Sequence, residues 1–205
     1  MPIFDSSRSI FVHIPKCGGT SLVSCFSPEI NTLIAKPNKF SLKYMYGRNL
    51  QHSTSKKIKT LAPIRFHRYY KFSFVRNPWD RMISEYNWRK KWDRNIKNTS
   101  FIHMLENIPD YRNKREPHFY QASEFIMDKK DNLIIDYLGY FETIEQDFNN
   151  ICEHLKLSLN LPKKNVTATK PLESFYNEYY TKDSIVLVNK YFSRDIANFG
   201  YRPLE

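Results

Sequence analysis

The chain has 205 residues, of which 41% are hydrophobic and 16% aromatic, enough for one domain with a substantial core and too apolar for a disordered chain. Its 32 Lys and Arg against 21 Asp and Glu give a formal charge of +11, which favours anionic partners: a nucleotide, an acidic polysaccharide, nucleic acid or an acidic membrane surface. Cys17, Cys25 and Cys152 form no C-x-x-C and have no zinc-like histidine spacing, which argues against a disulfide framework or a structural metal.

Only residues 1–9, Arg8 among them, precede the first predicted strand, Ile10–Val12, so no secretory signal is expected. No apolar run approaches the ~18 to 20 residues of a membrane span. The expectation from these residues is a soluble protein. After the strand comes His13-Ile14-Pro15-Lys16-Cys17-Gly18-Gly19-Thr20-Ser21, then an apolar run that can continue as a helix. Strand, tight loop and helix make a phosphate cradle: Lys16 supplies a cation, Gly18 and Gly19 let the backbone close round an anion, and Thr20 and Ser21 offer hydroxyls at a helix N-terminus. It is not a Walker A loop, because the lysine precedes both glycines. A plain strand-to-helix turn containing Gly-Gly is the alternative.

Residues 27–51, rich in Pro, Asn, Lys and Tyr, read as irregular surface structure. Ser55–Leu61, with Lys56, Lys57 and Lys59, reads as a short basic helix, either a solvated face or a polyanion contact. Arg65 to Tyr70 leads into a buried strand at Phe72–Val75, which Asn77-Pro78 ends. Pro78 suits the first turn of a helix carrying Trp79 to Lys91, with Trp79, Met82, Ile83 and Tyr86 on one apolar face. Arg76 then lies at the carboxyl end of a strand, where open α/β sheets bind ligands, and Ser84 about two turns into the helix; a guanidinium fork and a hydroxyl suit a second phosphate. The continuation, Trp88 to Arg94, interleaves aromatics with cations, as polysaccharide- or nucleic-acid-binding segments do, or is an exposed helix end.

Ser100 can cap a helix over 101–107, stopped by Pro109, with a charged loop over 111–117. Phe125–Met127 and Leu133–Ile135 flank a polar turn and suggest a hairpin. A strand is expected at Leu138–Phe141 and an amphipathic helix at Ile144–Leu155, with Ile144, Phe148, Ile151 and Leu155 inward. Residues 161–171 read as a lid-like loop, followed by helices near 174–180 and 183–192. The alternation predicts an α/β fold, one domain over 1–205 with a mainly parallel central sheet flanked by helices.

HIPKCGGTS and FVRNPWDRMISEY resemble the 5′-phosphosulfate loop and the 3′-phosphate motif of sulfotransferases that use 3′-phosphoadenosine 5′-phosphosulfate (PAPS). The chain is most similar to the carbohydrate branch of that family, the heparan sulfate 2-O-sulfotransferases and bacterial relatives. Gln51-His52-Ser53 before a basic helix, Leu138 to Phe148, and the ending Asp195 to Tyr201 extend the likeness over nearly the whole chain.

The resemblance implies a P-loop-NTPase-like fold and sulfuryl transfer to a carbohydrate hydroxyl, with PAPS as co-substrate, 3′-phosphoadenosine 5′-phosphate (PAP) as product, and no metal; set beside the family's membrane-anchored relatives, it implies a cytoplasmic enzyme of bacterial type unless an N-terminal anchor has been removed. It places Lys16 on the departing phosphate, backbone N–H groups of Cys17, Gly18, Gly19, Thr20 and Ser21 on the 5′-phosphate, Arg76 and Ser84 on the 3′-phosphate, and His52 as the acceptor's base. His13, His67 and His118 compete for that last role. Tyr140 stands where the family often has arginine, which puts an anion contact there in doubt. A nucleotide kinase is the rival enzyme reading, disfavoured by the glycine–lysine order; a basic nucleic-acid-binding module is the rival binding reading, with no recognisable signature.

Overall fold

The computed structural model of the chain describes residues 3–26, 51–93, 96–162 and 172–204. In chain order these are β1 (Ile3–Phe4), β2 (Ser9–Val12), α1 (Gly19–Cys25), α2 (Ser55–Leu61), α3 (Pro63–Arg68), β3 (Tyr70–Val75), α4 (Pro78–Trp92), α5 (Phe101–Glu106), α6 (Ile108–Asn113), a 3-10 turn (Pro117–Phe119), α7 (Ala122–Ile126), β4 (Tyr137–Tyr140), a second 3-10 turn (Phe141–Thr143), α8 (Ile144–Leu155), α9 (Leu172–Tyr179), α10 (Lys182–Tyr191) and α11 (Ser193–Asn198).

The four strands form one sheet in the order β1-β2-β3-β4. β1 runs antiparallel to β2, whereas β2, β3 and β4 are mutually parallel, with Phe11 opposite Phe72 and Phe74 opposite Gly139. The fold is thus mixed α/β with a mainly parallel sheet, as expected. β2 is buried at every position, as is β3 from Phe72 to Val75, the continuous burial of strands covered on both faces. The Ser73 hydroxyl adds a side-chain tie, donating to the Val12 carbonyl at 2.7 Å.

The chain divides into two compact units, one of residues 1–75 and 124–164, the other of 76–123 and 165–205. The first contains the sheet. Its core includes Phe4 stacked on Phe26 at 4.3 Å, Phe11 on Phe72 at 5.3 Å, and Phe148 edge-on to Phe26. The second is helical. Trp79, Met82, Ile83 and Tyr86 of α4 are buried with Phe101, Met104, Leu105, Val188 and Phe192, so the four aromatic and aliphatic positions read as the inner face of α4 do face a core. Asn77 fixes the start of that helix by accepting the Trp79 N–H at 3.0 Å, and Pro78 fills the first turn, where its missing N–H costs nothing.

Several expectations need correction. The helix expected over 101–107 ends at Glu106, ahead of Pro109, but Pro109 also occupies the first turn of α6, which takes up part of the expected charged loop. Phe125 and Ile126 lie in α7, and the expected hairpin reduces to one bridge between Met127 and Leu133 round a turn held by Asp128, whose carboxylate accepts the Lys130 and Asn132 N–H groups. The stretch before β3 is helical as α3, begun by Pro63, and Phe141 belongs to a 3-10 turn rather than to β4. β1 and α11 add elements that periodicity did not reveal, being only two and six residues long. In α8 the fully buried stripe is Phe148, Ile151 and Cys152, with Ile144 and Leu155 half-buried. The irregular stretch 27–50 and most of the lid-like loop lie outside the described residues.

Candidate active site

β2 ends at Val12, and the chain runs through buried His13, Ile14 and Pro15 before Lys16 turns it. Lys16 has φ +66° and Gly18 φ +77°, whereas Cys17 between them and Gly19 beyond do not enter the left-handed region. Two left-handed positions within three residues turn the chain sharply between β2 and α1. A lysine in that conformation costs ~1–2 kcal/mol through its Cβ, so the loop is held by its surroundings rather than by local preference.

Two walls hold it. A Cβ on Gly19 would lie 1.8 Å from His13 Nε2, so the imidazole fills the space that any side chain there would need. A Cβ on Gly18 would lie 2.6 Å from Ile144 Cδ1 and 3.2 Å from the Phe141 ring. The corner carrying Phe141 and Ile144 is itself pinned by Asp147, whose carboxylate accepts the Tyr137 hydroxyl at 2.8 Å, the Tyr140 N–H at 2.9 Å and the Thr143 hydroxyl at 2.7 Å. Gly18 caps α1 without a side-chain cap. The Ser21 N–H donates to the Gly18 carbonyl at 3.1 Å, which commits that amide to the helix, and the Ser21 side chain is buried while Thr20 is exposed. Cys17 is buried and its thiol donates to the Pro15 carbonyl, a structural environment rather than that of an activated nucleophile.

His13 stacks on Phe11 at 5.2 Å, and the Gln51 amide approaches its Nδ1 at 3.5 Å. His52 meets the His13 ring edge-on at 4.4 Å and donates its Nδ1–H to the His13 carbonyl at 3.0 Å. A carbonyl can only accept, so this bond assigns the proton to Nδ1 and leaves Nε2 as the basic nitrogen. Lys16, the glycines, His13 and His52 are thus brought together in the first unit. Of the competing histidines, His67 is exposed on α3.

Arg76 and Ser84 belong to the second unit, both half-buried. Arg76 follows β3 directly in the chain, and Ser84 is six residues into α4 from Pro78, ~9 Å along its axis. The inner face of α4 carries a polar stripe that sequence reading missed: Arg81, Glu85 and Arg89, all buried. Arg81 donates to the His118 and Tyr120 carbonyls at 3.1 and 2.7 Å. Glu85 accepts from Arg89 Nε at 2.6 Å and from His118 Nδ1 at 2.7 Å, and Arg89 also pairs with Glu116. Burial alone would push the Glu85 carboxyl up, yet His118 and Arg89 outweigh it and hold its pKa at about 2. The i, i+4, i+8 spacing of three charges inside an apolar helix pattern was the available clue.

The model of the Sulfotransferase family matches residues 2–202. The chain belongs to the sulfotransferase family. An uncharacterized protein of Archaeoglobus fulgidus is 31% identical over 105 residues, covering 50% of this chain and 81% of that one. No solved structure matches the chain. As a sulfotransferase it needs an acceptor for the sulfuryl group. Among the described residues no group of three or more His, Cys, Asp or Glu is arranged to hold a metal ion, and no helix is long and apolar enough to cross a membrane.

Proposed function

We propose that this sulfotransferase moves a sulfuryl group from PAPS to a carbohydrate hydroxyl, its two units acting as one P-loop-like catalytic domain over 1–205. The observation that carries the reading is the β2–α1 loop: a cation, alternating left-handed positions and two glycines packed against His13, Phe141 and Ile144, with the basic nitrogen of His52 assigned by its bond to His13. The reading of 1–205 as one domain rests on the family match running through both units.

Bound PAPS supplies an activated sulfuryl group whose S–O bond to the 5′-phosphate breaks. The backbone N–H groups of the loop from Lys16 to Gly19, with the Thr20 hydroxyl, hold the 5′-phosphate, and Lys16 meets the negative charge that grows on it. Arg76 and Ser84 hold the 3′-phosphate. His52 Nε2 takes the proton of the acceptor hydroxyl as its oxygen bonds to sulfur, and the Nδ1–H bond to His13 steadies the resulting imidazolium. Positioning and charge stabilisation do most of the work, by analogy with phosphoryl transfer.

The test is transfer of labelled sulfate from PAPS to a panel of uronic-acid and amino-sugar polymers. Product with the wild type and a loss of roughly 10²-fold or more in Lys16→Ala is expected; a folded Lys16→Ala protein that keeps its turnover rules out the leaving-group role.

A further inference from the structure

The row Asp80, Ser84, Trp88, Trp92 runs along α4 at four-residue steps, one ridge of the helix surface. Trp88 and Trp92 are 41% and 74% exposed, and large apolar rings are costly to leave in water. Lys91, three residues on from Trp88, is exposed beside them. Trp88 is not loose: its indole stacks on the His118 imidazole with centroids 5.3 Å apart and planes 23° apart. His118 is held in turn by buried Glu85, and its backbone carbonyl by buried Arg81. Arg89 braces the same carboxylate while lying over the Phe119 and Tyr111 rings at 4.7 and 4.9 Å. A buried polar stripe therefore fixes the orientation of a surface aromatic, so little rotamer entropy remains to be lost when a ligand stacks on it.

We propose that Trp88, Trp92 and Lys91 form a docking surface for an anionic saccharide, the chain that carries the acceptor hydroxyl. The two indoles offer flat faces to the C–H faces of sugar rings, ~6 Å apart along the helix axis, on the order of one pyranose. Lys91 matches a uronate or sulfate charge. The inference rests on the carbohydrate-acceptor reading and adds the place and charge of the ligand.

The test uses the full chain and an unsulfated polymer of glucuronic acid and N-acetylglucosamine, with a neutral N-acetylglucosamine hexamer and a thymidine dodecamer as comparators, read by tryptophan fluorescence and calorimetry. The uronate polymer is expected to bind best, more weakly as salt rises. Trp92→Ala, Trp88→Ala and Lys91→Glu are each expected to weaken it by ~10-fold or more, while the melting shift caused by PAP stays as in the wild type. Absence of polymer binding, equal binding of the neutral hexamer, unchanged affinity in folded Trp92→Ala and Lys91→Glu, or tighter tryptophan-dependent binding of the dodecamer overturns the proposal. A missing PAP shift together with tryptophan-dependent polymer binding would remove the donor reading and leave the docking surface standing; a PAP shift without polymer binding does the reverse.

Discussion

His52 donates its Nδ1–H to the main-chain carbonyl of His13 at 3.0 Å, and that one bond ties the candidate base to the strand leading into the phosphate loop. The consequence is a defined tautomer with Nε2 available to a hydroxyl. His52→Ala is expected to keep PAP affinity and to lose ~10²- to 10⁴-fold in turnover. Calorimetry with PAP and single-turnover rates on the folded variant check both; near-wild-type turnover in the variant would move the base elsewhere.

Gly19 gives a steric prediction. Because an added Cβ would lie 1.8 Å from His13 Nε2, Gly19→Ala must displace the imidazole or the loop, and the PAP-induced melting shift is expected to collapse. Truncating the obstacle in the same chain, His13→Ala with Gly19→Ala, is expected to restore part of that shift. If the single variant binds PAP as well as the wild type, the His13 wall is not what shapes the loop.

Much of this site was legible in the residue order, and the rest was hidden for physical reasons. The Lys-x-Gly-Gly order after an apolar strand, and Arg76 and Ser84 flanking an Asn-Pro helix start, are local patterns, and local patterns survive in a sequence. What holds them is non-local: Phe141 and Ile144 reach Gly18 from more than 120 positions away, and Asp147 fixes them through three bonds that no periodicity announces. The Glu85–His118 pair joins positions 33 apart, so each looked like an ordinary polar residue on its own. Pro109 marked the end of α5 but hid the start of α6, because proline reads equally as the end of one helix and the beginning of the next.

Glu85 predicts the acid limb of stability. Its folded pKa of about 2 lies below the ordinary 4.5, so it contributes stability that is present above ~4.5 and is lost as pH falls toward 2, about 3 kcal/mol in all. Asp195 works in the opposite sense. Burial raises its carboxyl pKa against the pull of Arg81 and the Ser123 and Ala122 N–H groups, so its contribution is lost as pH rises through the folded value. Denaturant unfolding of Glu85→Gln is expected to show a deficit of a few kcal/mol at pH 7 that shrinks by pH 3; an equal deficit at both would show that the charge of Glu85 is not what stabilises the fold.

The central claim is a donor carrying phosphates at both its 5′ and 3′ positions, and calorimetry with PAP beside AMP and ATP tests it most directly. PAP is expected to bind far more tightly than either and to raise the melting temperature by mass action, with Arg76→Ala weakening PAP by ~10- to 100-fold, the scale of one charge-assisted contact, and leaving AMP nearly unchanged. Equal binding of PAP and AMP, or PAP affinity untouched in a folded Arg76→Ala protein, would contradict it.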